Sequence, residues 1–214
     1  IVIHPISPMI PIIHMNVRYF ETKNSKEDTV VDKSWFGGGI DLTPHYVVEE
    51  DARWFHEQLK ACCDKHDSGY YSEFKTWADN YFYIKHRKET RGVGGIFFDR
   101  QKPNNERSIE DLFLFVQDVA NSFSPVYLQL MKKGEGLSYE DNHKRWQGLR
   151  RGRYVEFNLV LDSGTKFGLE TNGRTESILM SLPKNANWEY CSKVEAGSEE
   201  EKTLTFLKKG INWC

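Results

Sequence analysis

The fold of this chain is decided by a stretch with three consecutive glycines, Trp35-Phe36-Gly37-Gly38-Gly39-Ile40-Asp41-Leu42-Thr43-Pro44. Glycine has no side chain to pack, so such a run weakens a strand unless something approaches the backbone closely. Because the run lies between two aromatic residues and an aspartate, it predicts a strand whose bare backbone faces a bulky flat ligand. The alternative is a glycine-rich bulge. A phosphate-binding loop is disfavoured, since no Gly-Lys-Ser/Thr follows and Pro44 opposes a helix that begins on the glycines.

The segments around this stretch carry further strand patterns. Val17 and Tyr19 predict a strand that pairs with residues 35–42, and the polar segment 22–33 predicts the hairpin loop between them. Further strands are predicted over residues 92–99, 154–161 and 165–171, the last two as a pair.

Helical patterns occupy much of the remaining chain. Apolar residues at helical spacing predict helices over residues 48–67, 70–88, 138–149 and 199–209. Ser108 predicts the N-cap of another helix, because Glu110 and Asp111 follow in its first turn. Pro125 is predicted to kink or interrupt that helix.

The order of these elements predicts an α+β fold, with a large, mostly antiparallel β-sheet flanked by α-helices on both sides. The 214 residues suffice for one sizeable core, and no linker, repeat or low-complexity tract divides them. We therefore expect a single domain over residues 1–214. Because the chain begins at Ile1, inside a strand-like run, we expect that an N-terminal part of the natural protein precedes it.

Charge and cysteine content narrow the function classes. With 29 basic and 31 acidic side chains the net charge is −2, which gives no general attraction to nucleic acid or to an anionic membrane. No apolar run reaches transmembrane length. Cys62, Cys63, Cys191 and Cys214 show no Cys-x-x-Cys spacing, which favours reduced thiols. We expect a cytoplasmic protein; a mitochondrial one stays open, because a targeting peptide would lie ahead of Ile1.

Several long blocks, in the right order, resemble oxygen-dependent coproporphyrinogen III oxidases. Besides the glycine stretch, the blocks are residues 14–21, 92–99, 150–169 and 176–183, and the resemblance extends from His4 to Trp213. It implies a catalytic domain with a cleft over an antiparallel sheet. It also implies oxidative decarboxylation of two propionates of coproporphyrinogen III to vinyl groups, giving protoporphyrinogen IX in haem biosynthesis, with O2 as oxidant. A homodimer is implied as well, and we expect residues 154–189 to contribute to its interface.

The cofactor prediction follows from what the sequence lacks. It has no dinucleotide-binding fingerprint and no cysteine set for an iron–sulfur cluster. This agrees with an enzyme without an organic cofactor, in which the electron-rich porphyrinogen gives electrons to O2. Two alternatives stay open: a non-catalytic tetrapyrrole-binding protein on the same scaffold, and a metal-dependent oxygenase of another substrate.

Candidate substrate-binding residues come from the arginines and the glycines. Arg18 lies two residues from Asn16 on a predicted strand, so both side chains point to one face. Arginine presents a rigid fork that matches carboxylates. The resemblance places substrate contacts on Asn16, Val17, Arg18, Asn172, Gly173 and Arg174, over a platform of Gly37, Gly38 and Gly39. For Arg150 and Arg151, surface salt bridges are the predicted role.

Two aspartates are candidate catalytic residues. Asp41 and Asp162 each end a predicted strand, where an aspartate usually caps a turn. Over a ring plane, either could accept a pyrrole N–H or abstract a proton. Both positions are acidic in the resembled family, and we rank Asp41 first. Two positions depart from the family: Ser163 replaces a usual arginine, and Arg100 replaces a usual acidic residue.

The histidines leave the metal question open. His4, His14, His56 and His86 lie on four different predicted elements, so their spacing alone predicts no metal site. In bacterial members of the resembled family the matching positions have been assigned as ligands of a divalent metal such as manganese, and His14 as a proton donor. Imidazoles bind manganese, zinc or copper, and the sequence does not indicate which of these metals would be preferred. His45, His66 and His143 have polar neighbours and are predicted at the surface.

Overall fold

The computed structural model describes residues 1–23 and 33–214. A four-stranded antiparallel sheet forms its centre, in the order β1 (Val2–Ile3), β2 (Ile12–Thr22), β3 (Lys33–Thr43) and β6 (Gly94–Gln101). The hairpin loop predicted over residues 22–33 lies, for residues 24–32, outside the described part of the chain.

Two short strands and seven helices complete the described fold. A second, two-stranded sheet is formed by β4 (Tyr83–Ile84) and β5 (Glu89–Thr90). The helices are α1 (Glu49–Asp64), α2 (Tyr70–Tyr81), α3 (Ile109–Gly134), α4 (Asp141–Glu156), α5 (Ser163–Glu170), α6 (Thr175–Leu179) and α7 (Glu199–Phe206), with a π-helical turn, Phe157–Leu161, after α4. The α+β prediction is confirmed.

The two faces of the sheet differ in chemistry, because side chains alternate along each strand. One face is apolar and packs with α1 and α3 into the main core, which includes Ile13, Ile40, Leu42, Phe98, Phe55, Leu59 and Phe115. The opposite face carries His14, Asn16 and Arg18 on β2, opposite Asp41, Gly39 and Gly37 on β3. We call this second surface the polar face. The apolar face thus fixes the helices and leaves the polar face for chemistry.

The segment 154–161, predicted as a strand, is helical, and so is its predicted partner, 165–171. The α4 helix continues to Glu156, the π-helical turn follows, and α5 covers Ser163–Glu170. The reason is that Trp146, Arg150, Tyr154 and Phe157 are buried at helical intervals, whereas Leu159 is largely exposed. Val155 and Phe157 fit both the two-residue period of a strand and the helical period. The helical period, which begins upstream at Trp146, decides the outcome.

Two other helix predictions need correction. The helix predicted over 70–88 ends at Tyr81, and the β4–β5 hairpin follows, with buried Ile84 packing against Phe82 and Phe157. The helix that begins after Ser108 continues through Pro125, so of the two predicted effects, a kink or an interruption, the interruption does not occur. Since Pro125 and Asn121 lie on the exposed side, water can satisfy the carbonyl that the proline leaves free.

The predicted N-cap at Ser108 is confirmed. The Ser108 side chain accepts a hydrogen bond from the backbone N–H of Asp111, and the Asp111 side chain accepts one in return. All four cysteines lie in the described part of the chain and are unpaired. Within residues 1–23 and 33–214, no helix is both long and apolar enough to cross a membrane.

Candidate active site

A buried carboxylate lies at one end of the polar face. Asp41 is 2% exposed; its Oδ1 lies 2.7 Å from His14 Nδ1, and its Oδ2 accepts a hydrogen bond from Arg91 Nη2 at 2.7 Å. Burial alone would raise the pKa of Asp41, but the Arg91 guanidinium and His14 outweigh it and hold that pKa below its ordinary value. Asp41 is therefore ionised. Because a carboxylate only accepts hydrogen bonds, His14 Nδ1 carries the proton in this contact.

Arg91 is the functional candidate that the sequence reasoning missed. Its guanidinium lies over the rings of Phe82, Tyr154 and Phe157, at 4.3, 4.6 and 4.8 Å from their centroids. Nη1 donates to Asn158 Oδ1 at 3.1 Å. The one signal in the sequence is a lone arginine directly before the glycine-rich block 92–99. The aromatic rings and Asp41 together keep a buried cation in place.

An exposed ion pair lies at the other end of the polar face. Arg18 Nη2 donates to Asp99 Oδ1 at 2.7 Å, and Nη1 donates to Asn16 Oδ1 at 2.9 Å. The guanidinium lies against Gly37, where a Cβ atom would stand 2.6 Å from Nη2. The prediction that Asn16 and Arg18 share a face is confirmed. Asp99 was not a predicted site residue, although it ends the block 92–99.

The three glycines have different roles. Gly37 lies under Arg18, and a Cβ at Gly39 would approach Ile96 O and Phe97. Gly38 points to the apolar face, where a Cβ would meet Asn16 O at 2.6 Å and Phe98 at 2.9 Å. Strand β3 pairs with β2 without interruption, whereas its pairing with β6 shifts register between Phe36 and Gly38. The predicted strand and its bulge alternative are thus both present, one on each side of β3.

Val17 and Asp162 hold structural positions at the site's margins. Val17 packs against the core, so only its backbone lies near the polar face. Asp162 is the N-cap of α5: its Oδ2 accepts from Thr165 N at 2.7 Å, and its Oδ1 accepts from Tyr81 OH at 2.8 Å. Burial and the Asp162 carboxylate raise the pKa of Tyr81 to about 12. Tyr81 stacks on Phe97 at 4.1 Å, which links Asp162 to strand β6.

The turn between α5 and α6 holds the other predicted substrate contacts. Asn172, Gly173 and Arg174 are all exposed. Arg174 Nε lies 3.9 Å from Glu176 Oε2. In the described part of the chain, no hydrogen bond or ion pair joins these three residues to Arg18 or Asp41.

The four predicted metal-ligating histidines do not converge. His14 bonds to Asp41, and His86 Nε2 lies 2.9 Å from Glu156 Oε2. His4 Nε2 lies 2.8 Å from Ser181 O, and His56 contacts Tyr71 OH and Val93 O, each at 3.0 Å. Among the described residues, no group of three or more His, Cys, Asp or Glu side chains could hold a metal ion. These side chains therefore do not fit a metal centre, and we derive no step through one.

Two surface predictions are wrong. His45 is fully buried beneath Trp146, whose Nε1 donates to the His45 carbonyl at 2.6 Å, and burial lowers the pKa of His45 to about 3. Arg150 is also buried, and its Nη1 donates to Glu89 Oε1 at 2.8 Å. Arg151 forms no ion pair with any described residue; its Nη2 donates to Pro5 O at 2.7 Å. All three lie on or beneath α4.

Fold and site together define an α+β protein whose charged sheet face holds a buried carboxylate, an imidazole and an accessible arginine. The coproporphyrinogen III oxidase family model matches residues 1–213, and the chain belongs to this family.

Curated relatives agree with the family match. The chain is 52% identical to an oxygen-dependent coproporphyrinogen-III oxidase of Drosophila melanogaster, over 99% of this chain and 53% of the relative. It is 53% identical to a chloroplastic enzyme of the same name from Glycine max, over 99% of this chain and 54% of the relative. It is 50% identical to an oxygen-dependent coproporphyrinogen-III oxidase of Francisella tularensis, over 97% of this chain and 66% of the relative. The chain spans about half the length of the animal and plant relatives.

Proposed function

We propose that this protein is an oxygen-dependent coproporphyrinogen III oxidase, in which the polar face binds the substrate. The observation that carries the proposal is the ionised, buried Asp41 between Arg91 and His14 in a member of this family. The reaction is oxidative decarboxylation of two propionates to vinyl groups, giving protoporphyrinogen IX for haem synthesis.

The electron balance sets what the protein must do. Each propionate loses its carboxyl group as CO2 and one hydrogen from the adjacent carbon chain, and a carbon–carbon double bond forms. The two electrons released reduce one O2 to H2O2, and the step consumes one proton overall. No organic cofactor is required, because O2 accepts the electrons directly from the substrate. The protein must bind carboxylates, shield the ring and move protons.

His14 is the residue best placed to exchange a proton. Its side chain is 26% exposed, whereas that of Asp41 is 3% exposed and both of its oxygens are engaged. Asp41 orients the ring through Nδ1, so in the neutral imidazole Nε2 presents its lone pair. Asp41 then stabilises the imidazolium that forms when Nε2 accepts a proton. In this proposal Asp41 orients His14 and stabilises its protonated form, and His14 exchanges the proton with the substrate.

Substrate carboxylates are proposed to bind at the Arg18 end. Arg18 is partly exposed, its guanidinium lies against Gly37 and donates to Asn16 Oδ1, and it is accessible to a carboxylate. Substrate would replace Asp99 on Nη2 or bind beside it. The exposed turn with Asn172, Gly173 and Arg174 is proposed as a second contact, and Asp162 as the cap that positions this turn through α5.

A homodimer is proposed through the segment 154–189. Exposed apolar side chains support it, including Leu159, Val160, Phe167, Leu169, Met180 and Trp188. A specific dimer should bury roughly 1,200 Å² or more in total. In sedimentation at micromolar concentration we expect a dimer, and Phe167→Ser should shift it toward monomer. A wild-type monomer would contradict this proposal. The free cysteines support a reducing, cytosol-like compartment.

The function is tested by turnover. Purified protein is given coproporphyrinogen III with O2, without O2, and with O2 plus a chelator. We expect protoporphyrinogen IX in both oxygenated samples and none without O2. Binding without turnover would favour a storage protein, and loss of turnover in chelator would favour a metal-dependent oxygenase.

A further inference from the structure

One partly buried arginine has no carboxylate partner. Six arginines are buried or half-buried, and five of these have a carboxylate oxygen within 4.0 Å: Arg18 with Asp99, Arg91 with Asp41, Arg107 with Asp67, Arg150 with Glu89 and Arg153 with Glu156. Arg151 is the exception among the described residues. Its Nη2 donates to the Pro5 carbonyl, and its Nε is out of contact with solvent and with any protein acceptor. A partly buried cation without a counter-charge leaves a site for an anion.

Arg151 lines a cavity of about 470 Å³ that holds two more cations. Lys144 and Lys184 line the same cavity, together with amide side chains from Gln147, Asn185 and Asn187. No carboxylate contributes to this lining, and within the described residues neither lysine forms an ion pair. Burial and the nearby Arg151 charge lower the pKa of Lys144, which agrees with uncompensated positive potential in the cavity.

The walls of the cavity are held by backbone contacts. One wall is α4, and the other is the segment 184–187. Asn187 N donates to Gly148 O at 2.9 Å. A Cβ at Gly152 would stand 2.4 Å from Asn187 O, so the small residues of α4 let this segment dock closely. Lys144 Nζ is fixed by Ile6 O at 2.6 Å and Gln147 Oε1 at 2.8 Å. Lys144 and Arg151 are therefore held by hydrogen bonds in a cavity whose two walls are joined, whereas Lys184 stands at its exposed side.

We propose that this cavity binds a small multivalent oxyanion with carboxylate or phosphate groups. The Arg151 fork matches either group, and the lysines supply two point charges. The cavity shares no residue with the His14–Asp41–Arg18 site, so the proposal does not depend on the proposed catalytic activity, although the wall 184–187 belongs to the segment proposed for the dimer. The anion is either a free small molecule or a carboxylate of a larger substrate.

Calorimetric titration of citrate and of tripolyphosphate into the purified protein, at constant ionic strength, tests the proposal. We expect saturable binding of at least one probe. Arg151→Gln should weaken it by about tenfold or more, and Lys184→Gln by a few-fold. Lys132→Gln, at an exposed lysine on α3 outside the cavity, should change nothing. Lys184 is exposed, so its variant keeps the test valid if Arg151→Gln unfolds.

Absence of saturable binding of both probes would overturn the proposal, and so would equal affinity in wild type, Arg151→Gln and Lys184→Gln. The source of the anion is settled by competition. If substrate carboxylates occupy the cavity, citrate should compete with coproporphyrinogen III more weakly in Lys184→Gln than in wild type, since Arg18 is the same in both, and Lys184→Gln should raise KM. If a free anion occupies it, KM should be unchanged. Either result supports anion binding in the cavity and identifies the source of the anion.

Discussion

The two ends of the polar face hold the same interaction in different surroundings. Arg91–Asp41 and Arg18–Asp99 are both arginine–carboxylate contacts of 2.7 Å, but the first pair is 3% exposed on each side chain and the second is 38% and 32% exposed. An exposed pair contributes about 0–1 kcal/mol and can exchange partners. A buried pair cannot lose one member without leaving an uncompensated charge. Burial, and not distance, therefore separates a fixed charge from an exchangeable binding group.

The largest effect is expected at the buried end. Asp41→Asn should lower the free energy of unfolding by about 3–5 kcal/mol, because Arg91 is left buried without a counter-charge. Adding Arg91→Met should restore much of that loss without restoring activity. Denaturant unfolding of both variants and of the matched Asp99→Asn control measures this. A loss no larger for Asp41→Asn than for Asp99→Asn would remove the distinction between the two ends.

The pH dependence sharpens the same comparison. Because the pKa of Asp41 is lowered from 3.8 on folding, its contribution to stability is present above about pH 4 and is lost as the pH falls through the folded pKa. The stability difference between wild type and Asp41→Asn should therefore shrink below pH 4. Burial lowers the pKa of His45 and His56 from 6.5 to about 3, which destabilises both proteins equally as the pH falls below 6.5. Because wild type and Asp41→Asn lose the same stability through His45 and His56, this loss cancels when their stabilities are subtracted. A constant difference across pH 3–7 would contradict the assignment.

The neighbouring glycines should separate folding from binding. Gly38→Ala places a methyl against Asn16 O and Phe98 on the apolar face, so we expect about 1–3 kcal/mol of destabilisation. Gly37→Ala meets the flexible end of Arg18, which can move. Its main effect should be on KM, with a smaller loss of stability. Thermal unfolding and steady-state kinetics of the two variants provide the measurement, and reversed effects would count against the assignment of faces.

The sequence predicted the central strands because their signal is local. The strand patterns of the glycine stretch and of residues 12–22 are set by neighbouring residues. Each of these patterns fits a strand and no competing helical period. Residues 154–161 fit two periods, and burial upstream at Trp146 decided between them. Arg91 was not predicted because its role depends on Asp41, fifty residues away, and on the ring of Phe82 together with two rings at the end of α4. His45 was predicted at the surface but lies under α4, a contact between residues about a hundred positions apart that no local sequence pattern indicates.

The smallest effect is expected at the open end. Asp99→Asn should leave stability nearly unchanged, because the pair is exposed. If Asp99 occupies the fork until substrate arrives, its loss should lower KM by up to about fivefold without changing kcat. An increase in KM would mean that Asp99 holds Arg18 in its binding position instead.

The central claim is that the buried end performs proton chemistry and the open end binds carboxylates. Steady-state oxidation of coproporphyrinogen III by Asp41→Asn and Arg18→Ala, measured side by side, tests it most directly. The account predicts that Asp41→Asn lowers kcat by about 10²–10⁴ with little change in KM, and that Arg18→Ala raises KM by about ten- to a hundredfold with kcat nearly intact. A normal kcat for folded Asp41→Asn, or a loss of kcat alone in Arg18→Ala, would contradict it.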